Sequence, residues 1–99
     1  MLKDEPLFEW SLFKDQENRE KHDVSFEDAR YAFFDPDLVV LRDDSHSHSE
    51  HRYYCLGLDK AKTGVLTVRF TYRKGKIRIF GAGYWRRGKR IYDKKGQIQ

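Results

Sequence analysis

A chain of 99 residues with a single cysteine, 36% charged side chains and a formal net charge of +4 has the length of one domain, residues 1–99, with a modest core of its own. Cys55 alone excludes an internal disulfide and fits a reducing compartment. No charged-then-apolar leader opens the chain and no apolar run reaches membrane-spanning length, so a cytoplasmic protein with no membrane partner is expected.

The charge is unevenly spread. Residues 1–51 hold 6 Lys and Arg against 14 Asp and Glu, and residues 52–99 hold 14 against 2. Gathered on one surface, the basic excess suits phosphate, and the interleaved Tyr53, Tyr54, Tyr72, Tyr84, Trp85 and Tyr92 offer rings on which bases stack. The competing reading is a solvated charged face whose acidic and basic halves complement each other.

In chain order, Leu7 to Phe13 is an aromatic-rich strand or extended segment, with Trp10 and Phe13 expected in the core. Ser11 to His22 reads as a helix with Lys14, Glu17, Asn18 and Lys21 on one polar face. Ser25 caps a second helix, with Val24 as a staple and Phe26, Ala29, Ala32 and Phe33 as its buried stripe. Pro36 ends it by disfavouring helical geometry at Asp35. Leu38–Leu41 is a short strand and Asp43–Glu50 a polar loop. Arg52–Leu58 is the next strand. Val65–Tyr72 alternates apolar and polar residues with a period of two, Arg73-Lys74-Gly75-Lys76 reverses the chain, and Ile77–Phe80 returns. A short basic helix begins at Tyr84 and Trp85, with Trp85 expected to pack inward. The expected fold class is α+β: two N-terminal helices, a four-stranded mostly antiparallel sheet with the helices on one face, and a short C-terminal basic helix.

His46-Ser47-His48-Ser49-Glu50-His51 has the spacing H-x-H-x-D/E-H, similar to the zinc loop of metallo-β-lactamase-fold hydrolases. The likeness covers six residues, and no histidine follows His51 to complete such a site. The loop is expected to be solvated, and no metal or other cofactor is expected.

A second resemblance covers most of the chain. The pattern FEW-x3-K-x3-N-x2-KH-x-V-x-F-x2-A from Phe8 to Ala29, with Glu50-His51-Arg52-Tyr53, the strand at Val65–Tyr72 and Arg78-Ile79, resembles the BrnT family of bacterial toxins. The resemblance implies a RelE-like fold and a ribonuclease that arrests translation by cutting RNA, free or on the ribosome. It also implies a BrnA-like ribbon-helix-helix antitoxin, through which the pair reaches operator DNA. The serine and arginine that the family carries after the last strand fall here on Gly81 and Gly83. A non-catalytic RNA- or antitoxin-binding module of the same fold is therefore the alternative.

Metal-free RNA cleavage uses the substrate's 2′-hydroxyl as nucleophile and needs proton transfer plus cations around the crowded phosphate. The residues expected to supply this are Arg78, Arg52, Lys14, His22 and Lys21. Arg69, Tyr72, Tyr84, Arg86, Arg87, Lys89 and Arg90 are expected to contact RNA. His22 has an equal alternative as a cation at the C-terminus of its helix, and the lysines have one as solvated helix charges. Arg52 has one as a partner of Asp43 or Glu50.

Overall fold

The computed structural model describes residues 7–97, so the expectation for residues 1–6 lies outside it. The elements run β1 (Phe8–Trp10), α1 (Leu12–His22), α2 (Phe26–Ala29) with a 3-10 turn at Arg30–Phe34, β2 (Val39–Arg42), β3 (Arg52–Leu58), β4 (Val65–Arg73), β5 (Lys76–Gly83) and α3 (Arg86–Gln97). The class is α+β, but the sheet has five strands and is mixed. Its order is β1-β5-β4-β3-β2, antiparallel except where β1 runs parallel to β5. Three residues are too few to show a period, and β1 is recruited by a partner about 70 positions away.

Local signals account for the helix starts. The Ser11 hydroxyl accepts from the Lys14 N–H and the Ser25 hydroxyl from the Asp28 N–H, each satisfying a backbone donor left open at a helix start. Helix α1 stops at Asp23, in the left-handed region at φ 57°, whose N–H closes on the Arg19 carbonyl. The second helix completes one α turn, then tightens to 3-10 geometry. Asp35 does more than precede a proline. Its carboxylate accepts from the Asp37 N–H, the Leu58 N–H and the Tyr92 hydroxyl, tying the turn to β3 and α3. The hairpin between β4 and β5 turns through Lys74 at φ 53° and Gly75 at φ 80°, the two positive angles of a type I′ turn.

The core lies between the sheet and α2, where Phe26, Ala29 and Ala32 meet Leu66, Val68, Phe70, Ile79 and Ala82. The helices do not share one face, contrary to expectation. Helix α3 packs on the opposite side, where Ile91 and Tyr92 cover Val39, Leu56 and Val65. Two apolar side chains in RRGKRIYDKKGQ were too few to reveal a buried stripe. Gly88 permits the close approach, because a Cβ there would collide with the Thr67 hydroxyl. Phe13 is a second correction: it and Leu12 are exposed on the first turn of α1. Trp10 is half-buried, edge-on to Phe26 at 6.2 Å.

Candidate functional site

Sheet register builds the site. Arg52 of β3 faces Thr71 of β4, Thr71 faces Arg78 of β5, and Arg78 faces Glu9 of β1, so one row crosses four strands. The next row is Tyr54, Arg69 and Gly81. Neighbouring strands lie about 4.8 Å apart, so Arg52 and Arg78 start roughly 10 Å apart with Thr71 between them. The Thr71 hydroxyl donates to the His51 carbonyl at 2.6 Å and anchors the start of β3.

A bulge sharpens the arrangement. Phe70 pairs with Ile79 and Arg69 with Gly81, leaving Phe80 as the extra residue of β5. Phe80 and Gly81 both turn to the basic face, and Ala82 returns to the core. The guanidiniums of Arg52 and Arg69 lie over the Phe80 ring at 4.6 and 5.3 Å, an orienting cation–π contact. The Arg69 side chain lies across Gly81, within 3.4 Å of where a Cβ would stand.

Helix α1 supplies the facing wall. Lys14, Glu17, Asn18 and Lys21 fall on one side at spacings of three and four. Buried Asn18 rivets this wall to the sheet. Its amide donates to the carbonyls of Val24 and Ala82, and its oxygen accepts the Ala82 N–H. His22 lies edge-on to Trp85 at 5.2 Å, and the Trp85 indole covers Gly83, 2.7 Å from where a Cβ would be.

Between wall and sheet is a groove of about 410 Å³. Its lining holds six cationic side chains, Lys14, Lys21, Arg52, Arg69, Arg73 and Arg78, against two carboxylates, Glu17 and Glu50. Glu50 pairs with Arg73 at 3.2 Å and Arg52 at 3.6 Å, and Glu9 with Arg78 at 3.1 Å. Lys14, Lys21 and Arg69 form no ion pair among the described residues, which leaves a surplus of positive charge for an anion.

Of the residues singled out from sequence, Arg78, Arg52, Lys14, His22, Lys21 and Arg69 thus line one groove. Arg87 lines an adjoining depression. Tyr72 stands on the opposite face, 5.4 Å from Phe70 and 5.6 Å from Tyr53. The Tyr84 hydroxyl donates to Asp59 at 3.0 Å, away from the groove; burial and this bond push its phenol up to about 12. Arg86, Lys89 and Arg90 are exposed on α3 and line neither depression, and Lys89 pairs with Asp93 at 2.6 Å.

Sequence reading missed Glu17, Glu50, Arg73, Phe80 and Trp85 as lining residues. Glu17 was within reach, three positions from Lys14; nothing local announces the bulge at Phe80. In the histidine loop, His46 Nδ1 is hydrogen-bonded to the Asp43 carboxylate at 2.9 Å, and His48 and His51 are exposed. Burial alone would raise the Asp43 carboxyl, but hydrogen bonds from Ser45 and His46 outweigh it and hold it low. Among the described residues no three His, Cys, Asp or Glu gather to hold a metal ion. Burial pushes the Cys55 thiol up to about 12, which removes it as a nucleophile. No helix among the described residues is long and apolar enough to cross a membrane.

One comparison bears on this groove. A family model described as the ribonuclease toxin BrnT of type II toxin–antitoxin systems matches residues 10–88, a span that holds every groove-lining residue. No curated protein matches the chain.

Proposed function

The chain belongs to the BrnT family of ribonuclease toxins from type II toxin–antitoxin systems, and from that premise we propose that its basic groove binds RNA and cuts it by metal-independent attack of the RNA's 2′-hydroxyl. The observation that carries this reading is the convergence of Lys14, Lys21 and His22 from α1 with Arg52, Arg69 and Arg78 from three adjacent strands around one groove.

Each group has a role that its chemistry supports. Arg52 and Arg78, flanking Thr71, hold the scissile phosphate with guanidinium forks, which suit its paired oxygens. The five-coordinate phosphate formed on attack carries extra negative charge, and cations already fixed around it stabilise that state without reorganising. Arg69 supplies charge at the level of Gly81, where the family pattern places a serine. His22, and Glu17 five residues before it, are the groups that take a proton from the 2′-hydroxyl and return one to the departing 5′ oxygen. Lys14 and Lys21 hold the flanking phosphates.

A type II system pairs a toxin with an antitoxin, and we assign this chain a BrnA-like ribbon-helix-helix partner that masks the groove and carries the operator contact. The rival, a groove that binds RNA without cutting, draws on Gly81 and Gly83, since the indole of Trp85 now fills the space beside Gly83.

End-labelled RNA, incubated with purified protein and chelator, separates the readings. Cleavage should persist with chelator and stop when the nucleotide before the cut carries a 2′-deoxyribose. Intact RNA bound by folded protein supports the binding module, and cleavage lost only on chelation sinks the metal-free mechanism.

A further inference from the structure

The groove does not stop at Trp85. A second depression, of about 660 Å³, adjoins it, and Arg69 and Trp85 belong to both linings. Its character is different. Leu41, Leu56 and Ile91 give it an apolar floor, and Tyr54 adds an aromatic side chain from the position paired with Arg69 in the sheet.

Most charges at its rim are already satisfied. Arg42 pairs with Asp44 at 2.8 Å, and Asp43 is held by His46 and Ser45, both at 2.9 Å. Arg87 forms no ion pair among the described residues, and it stands exposed on α3 at the same rim. A cationic channel therefore runs into a pocket with an apolar floor, where Arg87 adds an unpaired cation to that of the shared Arg69. Phosphate suits the first and a planar, weakly polar ring suits the second.

We propose that this second depression is a nucleobase site. It receives the base of the nucleotide adjoining the phosphate held between Arg52 and Arg78, with Tyr54 and Trp85 giving contact surface and Arg87 meeting the next phosphate. The proposal rests on the reading of the first groove as an RNA groove. Register supports the spacing: Tyr54 is one strand from Arg69, about 4.8 Å, so a nucleotide leaving the first groove at Arg69 reaches the apolar floor directly. The site would favour RNAs whose base at that position fills the pocket, which makes it a determinant of where the chain is cut.

Binding of a short 2′-O-methyl RNA, which cannot be cleaved by 2′-hydroxyl attack, tests the site without catalysis. Single abasic nucleotides are placed at each position in turn, and affinity is read by fluorescence polarisation. The wild-type chain should lose roughly tenfold in affinity at one position, as expected for a stacked base, and little at its neighbours. Tyr54→Leu and, separately, Trp85→Leu should abolish that difference, so that intact and abasic RNA bind alike. Arg87→Ala should weaken both equally and reduce the salt slope by about one. RNA that binds with no position-dependent penalty overturns the base site while leaving the groove reading standing; no binding at all overturns both. A penalty of unchanged size in both Tyr54→Leu and Trp85→Leu also overturns the site.

Discussion

On the side of the sheet covered by α2, Leu66, Val68, Phe70 and Ile79 are at most 1% exposed. On the other side, one residue along the same two strands, stand Arg69, Thr71 and Arg78. The first face is closed by aromatic contacts, with Phe33 5.0 Å and Tyr53 5.5 Å from Phe70. The second is apolar where α3 covers Val39, Leu56 and Val65, and cationic beyond it. Clustered cations repel one another and add little to folding. The period of two assigns stability to one face and leaves the other free to gather charge.

That division can be broken deliberately. Phe70→Ala removes a fully buried ring and should cost about 3–5 kcal/mol in denaturant unfolding; a loss under about 1 kcal/mol would mean that this face is not the core. Asn18→Ala strikes the joint between the faces. It leaves the buried Ala82 N–H and two carbonyls without the amide, and should cost about 2–3 kcal/mol. A loosened α1 wall should also raise KM for RNA. Unchanged stability and KM would show that the wall is held by other contacts.

Gly88→Ala gives a smaller effect. Alanine is the better helix former by about 1 kcal/mol, yet its methyl collides with the Thr67 hydroxyl, a buried oxygen without a hydrogen-bond partner among the described residues. A net loss of about 1–3 kcal/mol is expected, and Thr67→Ala in the same chain should recover part of it. Purely additive effects would place the helix elsewhere.

The smallest expected effect is at alkaline pH. The Tyr84 phenol is raised to about 12 in the folded chain, against roughly 10 when unfolded. Its contribution is therefore complete below pH 10 and lost as pH rises towards 12. Tyr84→Phe should flatten that part of the stability profile. Asp35 and Asp59 behave inversely. Burial would raise them, but their hydrogen bonds prevail and lower both, so their contribution is present above about pH 3.9 and lost in stronger acid.

Much of this was legible because the informative signals were local. The alternation through Val65–Tyr72, the turn at Lys74-Gly75 and the serine caps each specify geometry within a few residues. Tyr72 shares the parity of Phe70, so alternation alone places it away from Arg69. The rest depended on distant partners. Three residues of β1 pair with a strand far along the chain, and the bulge that turns both Phe80 and Gly81 to the groove exists only once β4 and β5 are in register. Helix α3 hides its buried side among six cations, and its close approach to Thr67 depends on Gly88. At the site, Arg78 flanked by Ile77 and Ile79 pointed to the correct face, whereas Trp85 gave no hint that it bounds two depressions.

The measurement closest to the central claim is kcat/KM for RNA cleavage beside thermal stability in Arg52→Ala, Arg69→Ala and Arg78→Ala. Losses of about 100-fold or more per variant, with Tm shifted by only a few degrees, are what a catalytic groove on a separately stabilised sheet predicts. Cleavage at wild-type rates by all three folded variants would contradict it.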